Sequence, residues 1–316
     1  MYSVAPINQQ SVVKQEGMSR DLYDRFIAYL DSCPKTIETY TKNLKPFFAY
    51  LAERGITRPM RLDILAYRDS LAQRLKPTTI QNYLAVVKIF FAWTEQEGIY
   101  PNIAKRIKGP RVDKVHKKDY LTTNQVKHIA SEINRETLTG ARDYALFMLM
   151  VSCGLRTIEV SLANIEDLRP VGDKTVLYVQ GKGHAERSIF VLIPYKVEEA
   201  IRAYLKKRSS YGDKDPLFAS TSNNNFGKRM TTRSISGIAK RLMREGGFNS
   251  SRLTAHSLRH TAVTAAINSG QRFDLVQAFA RHANPATTMI YVHHEDALKN
   301  QCSTAVSEMF FDWWGK

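Results

Sequence analysis

Six residues spread between positions 156 and 291 have side chains suited to phosphate chemistry: Arg156, Lys182, His256, Arg259, His282 and Tyr291. Arg156 stands in "CGLRTIEV", where it either pairs with Glu159 or faces an anion. Lys182 stands at the tip of "VQGKGHAERS", between glycines that favour a tight turn. It is either a solvated hairpin lysine or one delivered to a substrate. His256 and Arg259, in "HSLRH", are three apart and share a face of a helix. An anion between them explains that pair, and so do buried carbonyls that they satisfy. His282 and Tyr291 flank "ANPATTMI", whose Asn284-Pro285 turn and short helix can fold the tyrosine back towards the histidine. Taken alone, Tyr291 reads as a hydroxyl at the edge of a core.

Jointly the six describe one reaction. The transition state for cleaving a phosphodiester gathers negative charge on the non-bridging oxygens, which planar guanidinium groups match in bidentate fashion. A phenol, with an ordinary pKa of about 10, needs nearby cations to favour its phenolate. The leaving deoxyribose oxygen needs a proton donor, a task for Lys or His. Other chemistries lack their residues. His256 and His260 have i, i+4 spacing, but there is no H-E-x-x-H, and Arg259 between them repels a cation. No G-x-S-x-G occurs, and no acidic cluster suited to Mg²⁺ is visible among these segments. The expectation is a covalent route with no metal and no cofactor.

These residues must be positioned by elements that the periodicity outlines. Residues 1–18 read as a flexible tail. From 19 to 104 the chain reads as helical throughout. "DLYDRFIAYL" sets Leu22, Phe26, Tyr29 and Leu30 on one face, and "TIETYTKNLKPFFAYLAERG" does the same for Ile37, Tyr40, Leu44, Phe47, Phe48 and Leu51. Pro46 inside the second helix predicts a kink, and Pro77 marks a helix start. Four helices joined by short loops predict a small bundle. Residues 105–118, "KRIKGPRVDKVHKK", carry seven Lys/Arg against one Asp and contain Gly109-Pro110. They read as a basic interdomain linker whose Lys105, Arg106, Lys108, Arg111, Lys114, Lys117 and Lys118 can track a DNA backbone. From 119 to 316 further helices surround "KTVLYVQ" and "RSIFVLI", β-rich runs flanking "GKGHAE" that predict a hairpin. The fold class is mainly α with a small antiparallel sheet in the second domain.

Composition narrows the partner. The 316 residues carry a formal charge of +16 with a pI near 9.7, which points to a polyanion, usually nucleic acid. Cys33, Cys153 and Cys302 are far apart and odd in number, so neither a disulfide framework nor a cysteine zinc site is expected. No apolar run approaches a membrane span and no signal peptide is visible, so a cytoplasmic location is expected.

The motifs "GLRTIEV", "GKGHAERSI", "HSLRHT" and "RHANPATTMIYVH", in this order, make the chain resemble the tyrosine recombinases of the phage-integrase and Xer type from about residue 19 onward. The resemblance implies a SAM-like core-DNA-binding domain over 19–104 and a catalytic domain over 119–316, closing as a C-shaped clamp on double-stranded DNA. It implies a homotetramer on synapsed core sites. It also implies roles. Tyr291 would attack the scissile phosphate to form a 3′-phosphotyrosyl link. Arg156 and Arg259 would clamp the non-bridging oxygens, and His256 would serve as general acid/base. His282 would hydrogen-bond the phosphate, and Lys182 would protonate the leaving 5′-oxygen. The C-terminal segment, with Phe310, Phe311, Trp313 and Trp314, would be exchanged between protomers or packed within its own chain. No arm-binding domain of the kind some members carry is expected ahead of the first helix. One departure stands out: "ARH" occurs where the family usually has Leu-Gly-His, so Arg281 replaces a glycine and adds a cation near the site. Two other readings remain open, DNA relaxation of the type IB topoisomerase kind and a DNA-binding accessory protein that keeps the fold without catalysis.

Overall fold

The structure is a computed structural model that describes residues 16–112, 119–180 and 187–311, apart from the side chains of 293–299 and 311. The chain divides into two compact units, Met1–Lys114 and Val115–Lys316.

The first unit holds four helices: α1 (Arg20–Tyr29), α2 (Pro34–Glu53), α3 (Arg61–Ala72) and α4 (Pro77–Gln96). Their starts follow local chemistry. The Ser19 hydroxyl accepts the Leu22 amide at 3.1 Å, capping α1. Pro34 and Pro77 occupy first-turn positions, where a missing N–H costs nothing. The helix α2 continues through Pro46. Leu22, Phe26, Leu44, Phe47 and Leu51 are buried, as their spacing predicts. They join Tyr67, Phe90, Phe91 and Trp93 in a core rich in edge-to-face ring contacts, such as Phe26 on Phe90 at 5.3 Å. Tyr29 departs from the expected face. It is the last residue of α1 and stays 47% exposed, with its ring tilted against Trp93.

The basic stretch begins against this unit rather than as a free strand. Ala104 and Ile107 are buried in its core. Arg61 donates to the Lys105 carbonyl at 2.5 Å, Arg68 to that of Lys108 at 3.3 Å, and Gln81 to that of Pro110 at 2.9 Å. The backbone is therefore held while the side chains of Lys105, Arg106, Lys108 and Arg111 stay exposed. Lys114, Lys117 and Lys118 lie outside the described residues.

The second unit contains α5 (Thr123–Glu132), α6 (Leu138–Cys153), α7 (Thr157–Leu162), β1 (Leu168–Val171), β2 (Lys174–Val179), β3 (Ile189–Ile193), α8 (Tyr195–Arg208), α9 (Thr232–Glu245), α10 (Ala255–Asn268), α11 (Phe273–Ala280), α12 (Pro285–Lys299) and α13 (Cys302–Phe311). Helix α6 is buried over most of its circumference, and α8, α10 and β3 pack around it. The sheet is antiparallel in the order β1-β2-β3. Strands β2 and β3 match the expected pair, with Leu177 opposite Val191. Strand β1 has no expected counterpart. Its Pro170 cannot donate to a ladder, which suits the edge position it takes. Gly172, at φ +61, opens the two-residue turn between Val171 and Lys174, and the Gly172-Asp173 pair is the sequence cue for it. Among the described residues no helix is long and apolar enough to cross a membrane.

Candidate active site

Four separate segments of the second unit bring the site together. The first is the turn after α6. Gly154 takes the left-handed conformation (φ +58) that ends the helix, which few residues but glycine adopt cheaply. A Cβ there would also meet Phe279 at 3.3 Å. Arg156 follows as the residue before the first turn of α7. The Glu159 carboxylate accepts both the Arg156 amide at 2.8 Å and its Nη1 at 2.7 Å. The ion pair that competed with a functional reading of Arg156 is thus present. It does not remove the residue from use, because the side chain remains 31% exposed.

The second segment is α10, which displays His256 and Arg259. His256 is exposed. Arg259 is 1% exposed and donates from Nη1 to the Gly154 carbonyl at 2.5 Å and from Nη2 to the Ala280 carbonyl. Burial, aided by Arg156 and Arg281, pulls its pKa down to about 10, so it stays charged at neutral pH. His260, one turn on from His256, does not share that exposure. It is buried, with Nδ1 3.1 Å from the Thr264 hydroxyl and its ring beside Tyr120. The two histidines of "HSLRH" therefore serve different environments. Among the described residues no group of three or more His, Cys, Asp or Glu is placed to hold a metal ion.

The third segment is the turn between α11 and α12. Arg281 ends α11 with φ +51, a left-handed conformation that costs a non-glycine residue about 1–2 kcal/mol. The carbonyls it leaves at the end of α11 hold arginines: Ala280 accepts from Arg259, and Arg281 accepts from Arg156 Nη2 at 3.1 Å. His282 comes next. Its ring nitrogen Nδ1 lies 2.9 Å from the Thr288 hydroxyl, and its backbone exchanges hydrogen bonds with Gln277. Burial first, then the charges of Arg259, Arg156 and Arg281, push its pKa down to about 4. His282 is consequently a neutral imidazole at physiological pH, not a fifth cation.

The fourth is α12, which begins at Pro285 with its start capped by the Asn284 side chain on the Ala286 amide at 2.9 Å. It is longer than the short helix expected. Tyr291 sits on its second turn, 4% exposed, among Val263, Val276 and Ala280. The His260 ring meets it edge-on at 4.6 Å, and the His282 ring lies over it at 6.0 Å. Burial raises the phenol pKa, and the nearby Arg259 and Arg156 only oppose that shift. The cations expected to activate the phenol are present, yet in this arrangement desolvation outweighs them. Tyr291 is thus a core-edge residue that lies within the field of two arginines.

Arg156, His256 and Arg259 line one cavity of about 570 Å³, together with Lys240 and Thr254. Neither His282 nor Tyr291 is part of the cavity wall, but both lie within the field of Arg259. Lys182 lies outside the described residues. Just ahead of β3, Arg187 reaches Asp167 at 2.5 Å and the Leu162 carbonyl at 2.9 Å. The sequence reading did not single out the supports of the site. Thr288 and Gln277 hold His282, and His260 packs on Tyr291. The i+6 spacing of His282 and Thr288 across a turn carries no pattern that would have disclosed their pairing.

Comparison with known proteins gives the same outline. Residues 119–297 match the phage integrase family, and residues 23–98 match the phage integrase N-terminal SAM-like domain. A tyrosine recombinase of Synechocystis is 28% identical over 312 residues, covering 94% of this chain and 96% of its own. The tyrosine recombinase XerC of Leptospira interrogans is 29% identical over 280 residues, 85% of this chain and 87% of its own. The fold is similar to that of the XerH recombinase bound to its difH substrate in a post-cleavage complex (TM-score 0.70, 20% identity, 88% of this chain and 80% of that one). It is also similar to a lambda integrase dimer on a core site (TM-score 0.65, 16% identity, 84% and 96%). With its larger unit matched almost throughout, the chain belongs to the phage integrase family.

Proposed function

We propose that this chain is a site-specific DNA recombinase that cuts and rejoins double-stranded DNA through a 3′-phosphotyrosine at Tyr291. The observation that carries the reading is that Arg156, His256 and Arg259, from segments far apart in sequence, line one cavity, while the charges of Arg259 and Arg156 reach both His282 and Tyr291. The Tyr291 oxygen attacks phosphorus as the bond to the 5′-oxygen breaks. His256 takes the phenolic proton, and Lys182 gives a proton to the departing 5′-oxygen. Arg156 and Arg259 hold the two non-bridging oxygens, whose charge rises in the transition state. His282, neutral and tethered by Thr288, offers a hydrogen bond without adding charge. Rejoining is the reverse, with a 5′-hydroxyl from a partner strand as nucleophile. The link conserves the phosphodiester energy, so none of these steps draws on a cofactor.

The same reading assigns the exposed Lys105, Arg106, Lys108 and Arg111, with Lys114, Lys117 and Lys118, to the DNA backbone. It places the helical domain at 19–104, the basic connector at 105–118, the catalytic domain at 119–316 and a tail ahead of them. The reaction takes place in the cytoplasm on synapsed core sites bound by four protomers. Helix α13 supports such an assembly, since Val306, Met309 and Phe310 are 48%, 80% and 69% exposed. The relatives are named tyrosine recombinases, which favours recombination over relaxation or a non-catalytic role.

The test is a nicked suicide duplex carrying the sequence that the protein selects from random DNA. A covalent protein–DNA adduct should accumulate without added metal, and Tyr291→Phe should abolish it. An adduct that persists in Tyr291→Phe removes Tyr291 as nucleophile.

A further inference from the structure

Arg281 occupies a backbone position that favours glycine, and it nevertheless carries a guanidinium group that is only 8% exposed. Its Nη2 donates to Glu159 Oε2 at 2.9 Å and to the Gly154 carbonyl at 2.8 Å, and its Nη1 donates to the Phe279 carbonyl at 2.8 Å. Glu159 is the carboxylate that also accepts Arg156. The Arg281 carbonyl accepts from Arg156 Nη2 as well. Arg281 therefore reaches Arg156 by two routes, one through its backbone and one through a shared buried carboxylate.

Only the second route needs an arginine. A glycine would supply the same carbonyl with less backbone strain, and Gly154 would still be satisfied by Arg259. What a glycine lacks is charge. Glu159 is 2% exposed, so its charge acts in a poorly screened setting. Paired with Arg156 alone, it would cancel much of the positive charge that Arg156 presents to a phosphate. With a second guanidinium on the same carboxylate, the group of three keeps a net charge of +1. The carboxylate has acceptor sites enough for both partners.

We propose that Arg281 is a positioning residue for strand cleavage: by sharing Glu159 with Arg156, it leaves Arg156 both oriented and electrostatically available to the scissile phosphate. This rests on the reading of the cavity as a strand-cleaving centre. It accounts for a strained, buried cation at a backbone position that favours glycine.

The experiment uses the full chain and the nicked duplex of selected sequence, in two forms: with the natural scissile phosphate, and with a methylphosphonate, in which an uncharged methyl group replaces one non-bridging oxygen and leaves the linkage neutral. Single-turnover cleavage by Arg281→Gly should fall about tenfold on the phosphate, with the Kd for the duplex unchanged. On the methylphosphonate, where less charge needs balancing, the loss should shrink to about threefold or less. Arg281→Lys, which keeps the charge, should cleave faster than Arg281→Gln; both variants share the backbone strain and decide the matter if the glycine variant folds poorly. Equal losses on the two duplexes, or Lys and Gln variants of equal rate, would make the role purely structural and overturn the proposal. So would wild-type cleavage by Arg281→Gly. A wild-type protein that forms no adduct refutes the strand-cleavage reading itself, and the proposal with it.

Discussion

His282 sits half-buried beside three guanidinium groups, and both influences oppose its protonation. Its pKa falls from the ordinary 6.5 to about 4, so the folded state binds its proton less readily than the unfolded chain. The stability associated with neutral His282 is therefore complete above pH 6.5 and is lost progressively as pH falls towards 4. A ring-proton NMR titration should give a midpoint near 4, and a midpoint at 6 or above would contradict the burial argument. Cleavage between pH 6 and 8 should consequently show no inflection from His282. Lys182 has a different signature. Lys182→Ala should slow cleavage without weakening binding, and a duplex with a 5′-bridging phosphorothiolate, whose sulfur leaves without a proton, should restore the rate. Failure of that rescue removes the general-acid role. The residue types were legible from the sequence because phosphate chemistry admits few of them. Their protonation was not: it depends on which neighbours are buried together, as Tyr291 demonstrates. Its flanking arginines were foreseeable, but its desolvation was not.

Helix ends do most of the positioning. The last carbonyls of α11 and the carbonyl of Gly154 after α6 are the acceptors that hold Arg259, Arg156 and Arg281. Gly154→Ala should be costly, because φ is +58 and the added Cβ falls 3.3 Å from Phe279. A loss of about 1–2 kcal/mol in denaturant stability is expected from the backbone alone. Cleavage should drop as well, since the carbonyl held by two arginines shifts. Stability equal to wild type would show that the turn tolerates a side chain. At the chain's other extreme, α13 presents Met309 and Phe310 to solvent. Under the proposed four-protomer assembly, changing both to serine should leave binding to a single half-site intact and prevent the larger complexes, measured by light scattering on DNA. Helices and the β2–β3 pair followed from periodicity. Strand β1 did not, because four residues containing a proline carry no alternation strong enough to register.

At the scale of the molecule, +16 charges on 316 residues make affinity for a polyanion depend on salt. Four cations of the basic stretch project from backbone that the first unit holds in place. Replacing Lys105, Arg106, Lys108 and Arg111 with glutamine should flatten the slope of log Kd against log salt by about 2–4, similarly on every sequence. A loss confined to one sequence would mean that these residues read bases.

The sequence by itself determined the class of chemistry, the helical character of both units and the order of the motifs, since these depend on residue type and on periodicities of a few positions. The tertiary structure decided which groups meet. Glu159 and Arg281 are 122 residues apart, yet both hold Arg156. The charge state of His282 and the burial of Tyr291 belong to the same category. Desolvation and Coulombic coupling depend on distances through space, and no spacing along the chain encodes them.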